Sequence, residues 1–383
     1  MYPAGVRYAY FGKIRMLSIN DIHTPALVID LTVAQRNISR MADYARQHNL
    51  NLRPHSKTHK SLAMARRQLD AGAAGLAVAK VSEAHVMIRV CNDLMLAYPI
   101  VDHARAAAIA DLAGRKSQMV RVCVDSLLAV DVLASAGQAG GSVIGILVDL
   151  DVGFHRTGVP TPQAALELAQ AVDRAKGVRL DGLFCYPGNV SGQAARQTAS
   201  ALAAVQDALS QTLVLWEQHG LRAQIVSGGS TPTALQSHQI PALTEFRPGT
   251  YIYNDRNCLS HGCCLPEDCA ATLVCTVISN AVAGKVVIDA GSKSLSSDRL
   301  AGGDERSGFG LIVDYPQARI VRLSEEHGEV DVSQCDTAPA LGQRLRVIPN
   351  HICPCVNLQN TAWMLMPDGT IESLPVDARG ATW

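Results

Sequence analysis

The sequence predicts an α/β fold, a (β/α)8 barrel followed by a smaller, mostly antiparallel β domain. Two observations predict it. From residue 25 to about 255, short apolar runs alternate with longer alanine- and leucine-rich helical patterns. After about Cys269 the helical patterns stop, while strand-like runs continue. Strands alternating with helices over roughly 230 residues fit a closed parallel barrel, with an open doubly wound sheet as the alternative.

Taken in order, the barrel runs are Leu52–Lys57, Gly75–Lys80, Leu94–Tyr98, Val120–Asp125, Ile144–Asp151, Leu180–Tyr186, Gln224–Gly229 and Glu245–Tyr253. Between them lie segments with helical composition, among them Val33–Gln47, Val81–Val90, Asp102–Ala113, Pro162–Ala175 and Ala194–His219. The second part offers Thr272–Ile278, Lys285–Asp289, Arg319–Leu323, Arg344–Pro349 and Ala362–Met366. A Pro367-Asp368-Gly369 turn follows the last of these runs, and no clear amphipathic helix intervenes among the five. The expected division is therefore an N-terminal segment, residues 1–24, packing on the β domain, then a barrel over 25–265 and a β domain over 266–383. There is no low-complexity linker and no internal repeat, so the two parts are expected to pack tightly.

The 383 residues carry 34 basic and 34 acidic side chains, a formal charge of zero, and 48% of them are apolar. That composition supports a large core and argues against a partner held by long-range charge, such as nucleic acid or an anionic membrane surface. No apolar run is long enough for a membrane span, and Met1–Met16 lacks the apolar core of a secretory signal. Met16 is an alternative start. Eleven cysteines, an odd number scattered through apparent strands, read as reduced thiols of a cytoplasmic protein. Cys258, His261, Cys263, Cys264 and Cys269 cluster, but their spacing matches no paired Cys-x-x-Cys zinc arrangement.

Active-site groups of a barrel sit where strands end. Arg53-Pro54-His55-Ser56-Lys57-Thr58-His59-Lys60 ends the first strand. A lysine crowded there by cations can lose its proton and serve as an amine nucleophile, the requirement for a Schiff-base lysine; a solvated basic turn is the plain alternative. Ser227-Gly228-Gly229-Ser230-Thr231 ends the seventh strand, and Arg247-Pro248-Gly249-Thr250-Tyr251 lies in the eighth. Glycines bring backbone N–H groups close to an anion and hydroxyls add donors, which suits a phosphate clamp. Arg156, after the fifth strand, can donate to a ring nitrogen or clamp a carboxylate, unless Asp149 or Asp151 takes it. Tyr186 closes the sixth strand and can wall a ligand or fill the core. In His351-Ile352-Cys353, read as extended strand, imidazole and thiolate point to one face and can grip one metal, with water or substrate completing its shell. Cys355 is a further ligand on that face or a core thiol.

These residues resemble a known family, the fold-type III pyridoxal-phosphate enzymes related to eukaryotic D-serine dehydratase and D-threonine aldolase. The likeness runs from about Thr24 to the C-terminus through RPHSKTHK (53–60), AKVSEA (79–84), DVGFHRTGV (151–159), SGGSTPT (227–233), RPGTYIYND (247–255), VIDAG (287–291), EEHG (325–328) and NHICP (350–354). It implies an alanine-racemase-type barrel with a β domain, a homodimer, and pyridoxal 5'-phosphate as cofactor. By the same likeness Lys57, rather than Lys60, holds the cofactor, with His55 beside it. Gly228, Gly229, Ser230, Thr231, Gly249, Thr250 and Tyr251 form the phosphate cradle, Arg156 faces the pyridine nitrogen, and Tyr186 lies near the ring. His351 and Cys353 match the metal pair, for zinc or else manganese. The implied reaction is dehydration of a D-3-hydroxy amino acid to a keto acid and ammonia. Retro-aldol cleavage to glycine and an aldehyde is the alternative, and racemisation a more distant one. Cys353 resembles the dehydratase branch, where aldolases of the family often carry aspartate. The Tyr186-Pro187-Gly188-Asn189 run departs from the histidine-containing segments of both branches, and Gln359-Asn360 replaces the aldolase His-Asp pair.

Overall fold

A computed structural model describes residues 18–190 and 195–383. Most of the expected N-terminal segment, with both candidate starts, lies outside them. Its described end sits against the second domain: Arg344 donates to the carbonyls of Ile19 and Ile22, and Thr24 Oγ1 donates to Asp289 at 2.6 Å.

The first strand, β1 (Ala26–Asp30), is not part of the barrel, although the sequence reading began the barrel at residue 25. The barrel strands are β2 (Asn51–Leu52), β3 (Leu76–Val78), β4 (Asp93–Leu96), β5 (Met119–Val124), β6 (Ile144–Leu150), β7 (Val178–Cys185), β8 (Ile225–Gly228) and β9 (Glu245–Phe246). They pair in parallel in the order β2-β9-β8-β7-β6-β5-β4-β3. A parallel bridge between His55 and Ala77 joins the two ends, which favours closure over the open-sheet alternative. Strand ends differ from the expected runs where backbone chemistry intervenes. Glu245–Tyr253 contributes only two ladder residues, since Pro248 has no N–H to donate and Thr250–Ile252 coil into a 3-10 turn.

Between the strands, helices begin where a short polar side chain takes an orphan N–H. Asp30 caps Leu31–Gln47, Asp102 caps His103–Gly114, Ser126 caps Leu127–Ala139, and Thr161 caps Pro162–Arg174 with proline in the first turn. The apolar faces of the last three pack on the outer barrel surface, with Leu94, Val122, Ile146, Leu133 and Leu168 in one continuous core.

The second domain is built on β10 (Ala271–Ser279), β11 (Lys285–Ile288), β12 (Leu311–Ile312), β13 (Arg319–Leu323), β14 (Gly328–Asp331), β15 (Arg344–Ile348), β16 (Thr361–Leu365) and β17 (Ile371–Pro375). With β1 they form a mixed but mostly antiparallel sheet, β13-β14-β11-β10-β1-β16-β17, with β15 joining β10 to β12. The one parallel pairing among its registers is β1 with β16. Its core continues into the barrel: Leu27, Ile38, Phe246, Leu273 and Ile352 belong to one cluster. The other departure from expectation is Ile352–Leu358, a short helix where the sequence reading placed extended strand.

Candidate active site

A cavity of about 730 Å³ opens at the C-terminal ends of the barrel strands. Lys57, His55, Arg156, Tyr186, Gly229, Ser230, Thr231, Gly249 and Thr250, nine of the expected site residues, border it. Lys57 is exposed in the middle of an otherwise buried run from Leu52 to Ser61. The 3-10 turn Ser56–Thr58 turns it outward, and its own N–H donates to His55 Nδ1 at 3.4 Å. Its amine has no hydrogen-bond partner among the described residues. Lys60, by contrast, is buried, and its amine donates to Asn357 Oδ1 at 2.8 Å and to the carbonyl of Ala381 at 3.2 Å. Burial, reinforced by the charges of Lys57 and Arg247, holds the His55 imidazole well below its usual pKa, so it is neutral.

Two turns form one cradle on the cavity wall. Thr231 Oγ1 accepts the N–H groups of Gly249 and Tyr251, each at 3.2 Å. Gly229 has φ +79°, and a Cβ at Gly249 would stand 3.0 Å from Thr58 Oγ1 and 3.1 Å from His55 Cβ. Glycine is therefore required for backbone to approach the cavity there. Gly228 does not border the cavity; a Cβ there would press on Leu243 and Cys185. Tyr251 contributes only backbone, since its buried hydroxyl accepts from Gln68 Nε2 at 2.9 Å.

The two arginines divide the site. Arg156 is exposed at the rim, stacked over Phe154 and Tyr186 with its guanidinium 4.7 Å from the tyrosine ring centre. Arg247, which the sequence reading did not assign, is buried on the floor over the Phe184 ring (3.7 Å), with Nη2 donating to the Cys185 carbonyl at 2.7 Å. Nη1 of Arg247 donates to Ser227 Oγ, and Ser227 Oγ donates to Glu245, both at 2.5 Å. Arg247 was visible as the first residue of the Arg247–Tyr251 motif, but its depth depends on the fold. Burial also raises the Asp149 carboxyl, another wall residue, to about 6.

His351 and Cys353 come from the second domain, beside the cavity rather than on its wall. The imidazole and the thiol touch, not across an extended strand but because His351 is the extended cap of the helix whose first turn holds Cys353. His351 Nδ1 faces Asp298 Oδ2 at 2.7 Å, and Cys353 Sγ lies 3.3 Å from Thr58 Oγ1. Burial opposes charge on both groups, yet their mutual contact overrides it, raising His351 to about 9 and lowering Cys353. Such a pair binds a proton or a metal between its members. Asp298, missed in the sequence, fixes the ring so that Nε2 is the free ligand atom. Among the described residues no three His, Cys, Asp or Glu side chains converge as a ligand set, so a metal here would have two protein ligands and an open shell. Cys355 is a core thiol, buried and donating to the Ser294 carbonyl at 3.1 Å.

Residues 29–257 match the family model of the alanine racemase N-terminal domain, and residues 270–365 that of a putative serine dehydratase domain. The chain is 32% identical over 374 residues to a D-threo-3-hydroxyaspartate dehydratase of Delftia sp. (strain HT23), covering 92% of this chain and 96% of that protein. The crystal structure of D-threonine aldolase from Filomicrobium marinum is similar at a TM-score of 0.89 and 31% identity, over 96% of this chain and 99% of that one. A cysteine-to-alanine mutant of a D-threo-3-hydroxyaspartate dehydratase, in the metal-free form, is similar at a TM-score of 0.83 and 29% identity, over 94% and 98% of the two chains.

Proposed function

This chain belongs to the fold-type III pyridoxal-phosphate enzymes of the D-serine dehydratase and D-threonine aldolase family, and from that premise we propose that it is a metal-assisted lyase that dehydrates D-3-hydroxy amino acids. Its substrate is D-threo-3-hydroxyaspartate or D-serine, and its products are a keto acid and ammonia. The observation that carries the reading is the unpaired, cavity-facing amine of Lys57, one residue from the hydroxyl that touches Cys353.

The residues present fit the cofactor. A cavity of about 730 Å³ has room for it and a small substrate. The glycine cradle would hold the phosphate, Lys57 the aldehyde, and Arg247, on the floor, would face the ring in place of Arg156. Arg156, at the rim, would clamp the substrate carboxylate. When bound, pyridoxal phosphate supplies an electron sink for negative charge at the substrate Cα. Lys57 Nζ, once free, takes the Cα proton. His55, kept neutral, adds no further positive charge beside that amine. His351 Nε2 and Cys353 Sγ would hold a metal, which would supply Lewis acidity toward the substrate's β-hydroxyl.

What favours dehydration over aldol cleavage is that Gln359-Asn360 stand where aldolases of the family tend to carry a His-Asp pair. Gln359 Nε2 donates to the carbonyls of Ser294 (3.2 Å) and Cys355 (3.4 Å), and Asn360 Oδ1 accepts from Arg379, so both side chains are tied to the protein. Zinc is the metal we assign, since thiolate with imidazole is a borderline-to-soft pair. A homodimer is part of the proposal, supported by the racemase-type barrel. So is a cytoplasmic location, supported by eleven unbridged cysteines. Among the described residues no helix is long and apolar enough to cross a membrane.

The test is product analysis with D-threo-3-hydroxyaspartate, D-serine and D-threonine. Keto acid and ammonia are expected in equal amounts. Glycine with an aldehyde as the main products would replace the dehydratase reading by the aldolase one.

A further inference from the structure

The AKVSEA motif (79–84) takes no part in the chemistry above, yet its lysine stands on the cavity wall. Lys80 follows strand β3 and is the cap residue of helix Val81–Met87, with extended backbone and no side-chain capping bond. Lysine serves the fold poorly there. It has no acceptor for the first N–H groups of a helix, where the longer barrel helices use Asp, Ser or Thr. A residue that breaks a local rule at the mouth of a barrel is a candidate for function. The Lys80 amine lies 3.8 Å from the ring centre of Tyr98, which lines the same cavity. It has no hydrogen bond or ion pair among the described residues. The two carboxylates on the wall are held elsewhere: Asp125 Oδ2 accepts the Gly158 N–H at 3.2 Å, and Asp149 Oδ2 accepts the Thr157 hydroxyl at 2.8 Å.

We propose that Lys80 is a specificity-determining residue that binds a second carboxylate of the substrate, so that a dicarboxylic D-3-hydroxy amino acid is preferred to D-serine. The inference rests on the reading above that a D-amino acid occupies this cavity with Arg156 on its α-carboxylate, but not on which bond then breaks. Among the lysines and arginines of the lining, Lys57 is kept for the cofactor, and Arg247 is engaged by Ser227 and the Cys185 carbonyl. Lys80 and Arg156 remain, each stacked on an aromatic ring and neither paired with a carboxylate among the described residues. They follow β3 and β6, and the order β3-β4-β5-β6 sets those strands three spacings apart, about 14 Å. Two long cationic side chains reaching inward across that span suit the two ends of a four-carbon diacid. The side chain of D-serine offers Lys80 only an alcohol. Tyr98 holds the amine over its ring, which lowers the rotamer entropy a free lysine would lose on binding an anion. Around the amine the lining is apolar, with Ala79, Ala97, Pro99 and Val101, so few protein dipoles compete for the carboxylate.

Calorimetric titration of the cofactor-loaded protein with D-aspartate and D-alanine, neither of which has a β-hydroxyl to lose, provides the test. D-Aspartate is expected to bind on the order of 10–100-fold more tightly than D-alanine, the worth of one charge-assisted hydrogen bond. Lys80→Gln should bring that ratio close to one, and Lys80→Arg should recover part of it. The ratio of kcat/KM for D-threo-3-hydroxyaspartate to that for D-serine should fall in Lys80→Gln by a similar factor. Wild type binding both ligands equally, or a ratio that survives in Lys80→Gln, would overturn the proposal. So would a loss of cofactor affinity with the ratio kept, which would place Lys80 on the cofactor instead. Because the titration reads binding alone, it decides the role of Lys80 whether the products prove to be keto acid or glycine.

Discussion

His59 shows how one side chain near the reactive lysine is fixed in a single protonation state. It is 1% exposed, and in the neutral form both its nitrogens are satisfied. Nδ1 accepts the Ser61 N–H and Nε2 donates to Gln68 Oε1, each at 3.1 Å, and Gln68 passes a hydrogen bond on to Tyr251. Burial lowers its pKa from 6.5 to about 4, against smaller opposing hydrogen-bond effects. The unfolded chain protonates His59 below about 6.5 while the folded chain does not until about 4. Its contribution to stability is thus complete above pH 6.5 and lost as pH falls toward 4, a difference of about 3 kcal/mol. Urea unfolding at pH 4.5 and 7 should show wild type losing more stability on acidification than His59→Gln, by up to that amount; parallel losses would show that His59 titrates normally. Lys57 was legible in the sequence because its cationic neighbours are adjacent along the chain. The His59–Gln68–Tyr251 chain was not, because it joins residues that only the fold brings together.

Among the elements, the barrel strands are short and carry charge inward. Arg179 pairs with Asp181, Asp181 with Arg121, Arg121 with Asp93, Asp93 with Arg53, and Arg53 with Glu245. Ser227 continues this ladder to Arg247 on the cavity floor. Only a small apolar layer, Met95, Cys123, Leu147 and Phe184, lies beside it. Arg53 and Glu245 are each 2% exposed and 3.0 Å apart, so removing one charge strands the other in low dielectric. Glu245→Gln should destabilise the protein by about 3–5 kcal/mol and loosen Arg247 with it. A loss below about 1 kcal/mol in urea unfolding would show that water or Asp93 compensates Arg53. The alternation of strand and helix could be read from the sequence because it is periodic. The ladder is a pairing across strands, each partner an isolated polar residue in its own run. Ile352–Leu358 was hidden for another reason: two turns of helix give too little period to tell from a strand. His351 and Cys353 could still be paired from sequence because the extended cap residue lets them meet.

The whole molecule makes its site from both domains. Thr58 meets Cys353 at 3.3 Å, Lys60 donates to Asn357 at 2.8 Å, the Ile352 N–H donates to Asp255 at 3.0 Å, and the Ala378 N–H returns to the Lys60 carbonyl at 2.9 Å. Strand β1 leaves the second sheet directly into a barrel helix, Leu31–Gln47, whose Ile38 and Ala42 share that sheet's core. Separate unfolding of either part would expose this shared face, so the chain should unfold as one cooperative unit. Zinc, bound at His351 and Cys353 as proposed, would then stabilise all of it, by about 2.7 kcal/mol at a free concentration a hundred times its Kd. Calorimetry should accordingly give one transition, lowered but not split by chelation, with the absorbance of the loaded cofactor retained below it. Cys353→Ala should melt where chelated wild type melts and ignore added zinc. Two transitions of which only the second-domain one moves, or a Cys353→Ala protein that still gains stability from zinc, would separate the metal from the shared face and place it elsewhere in the chain.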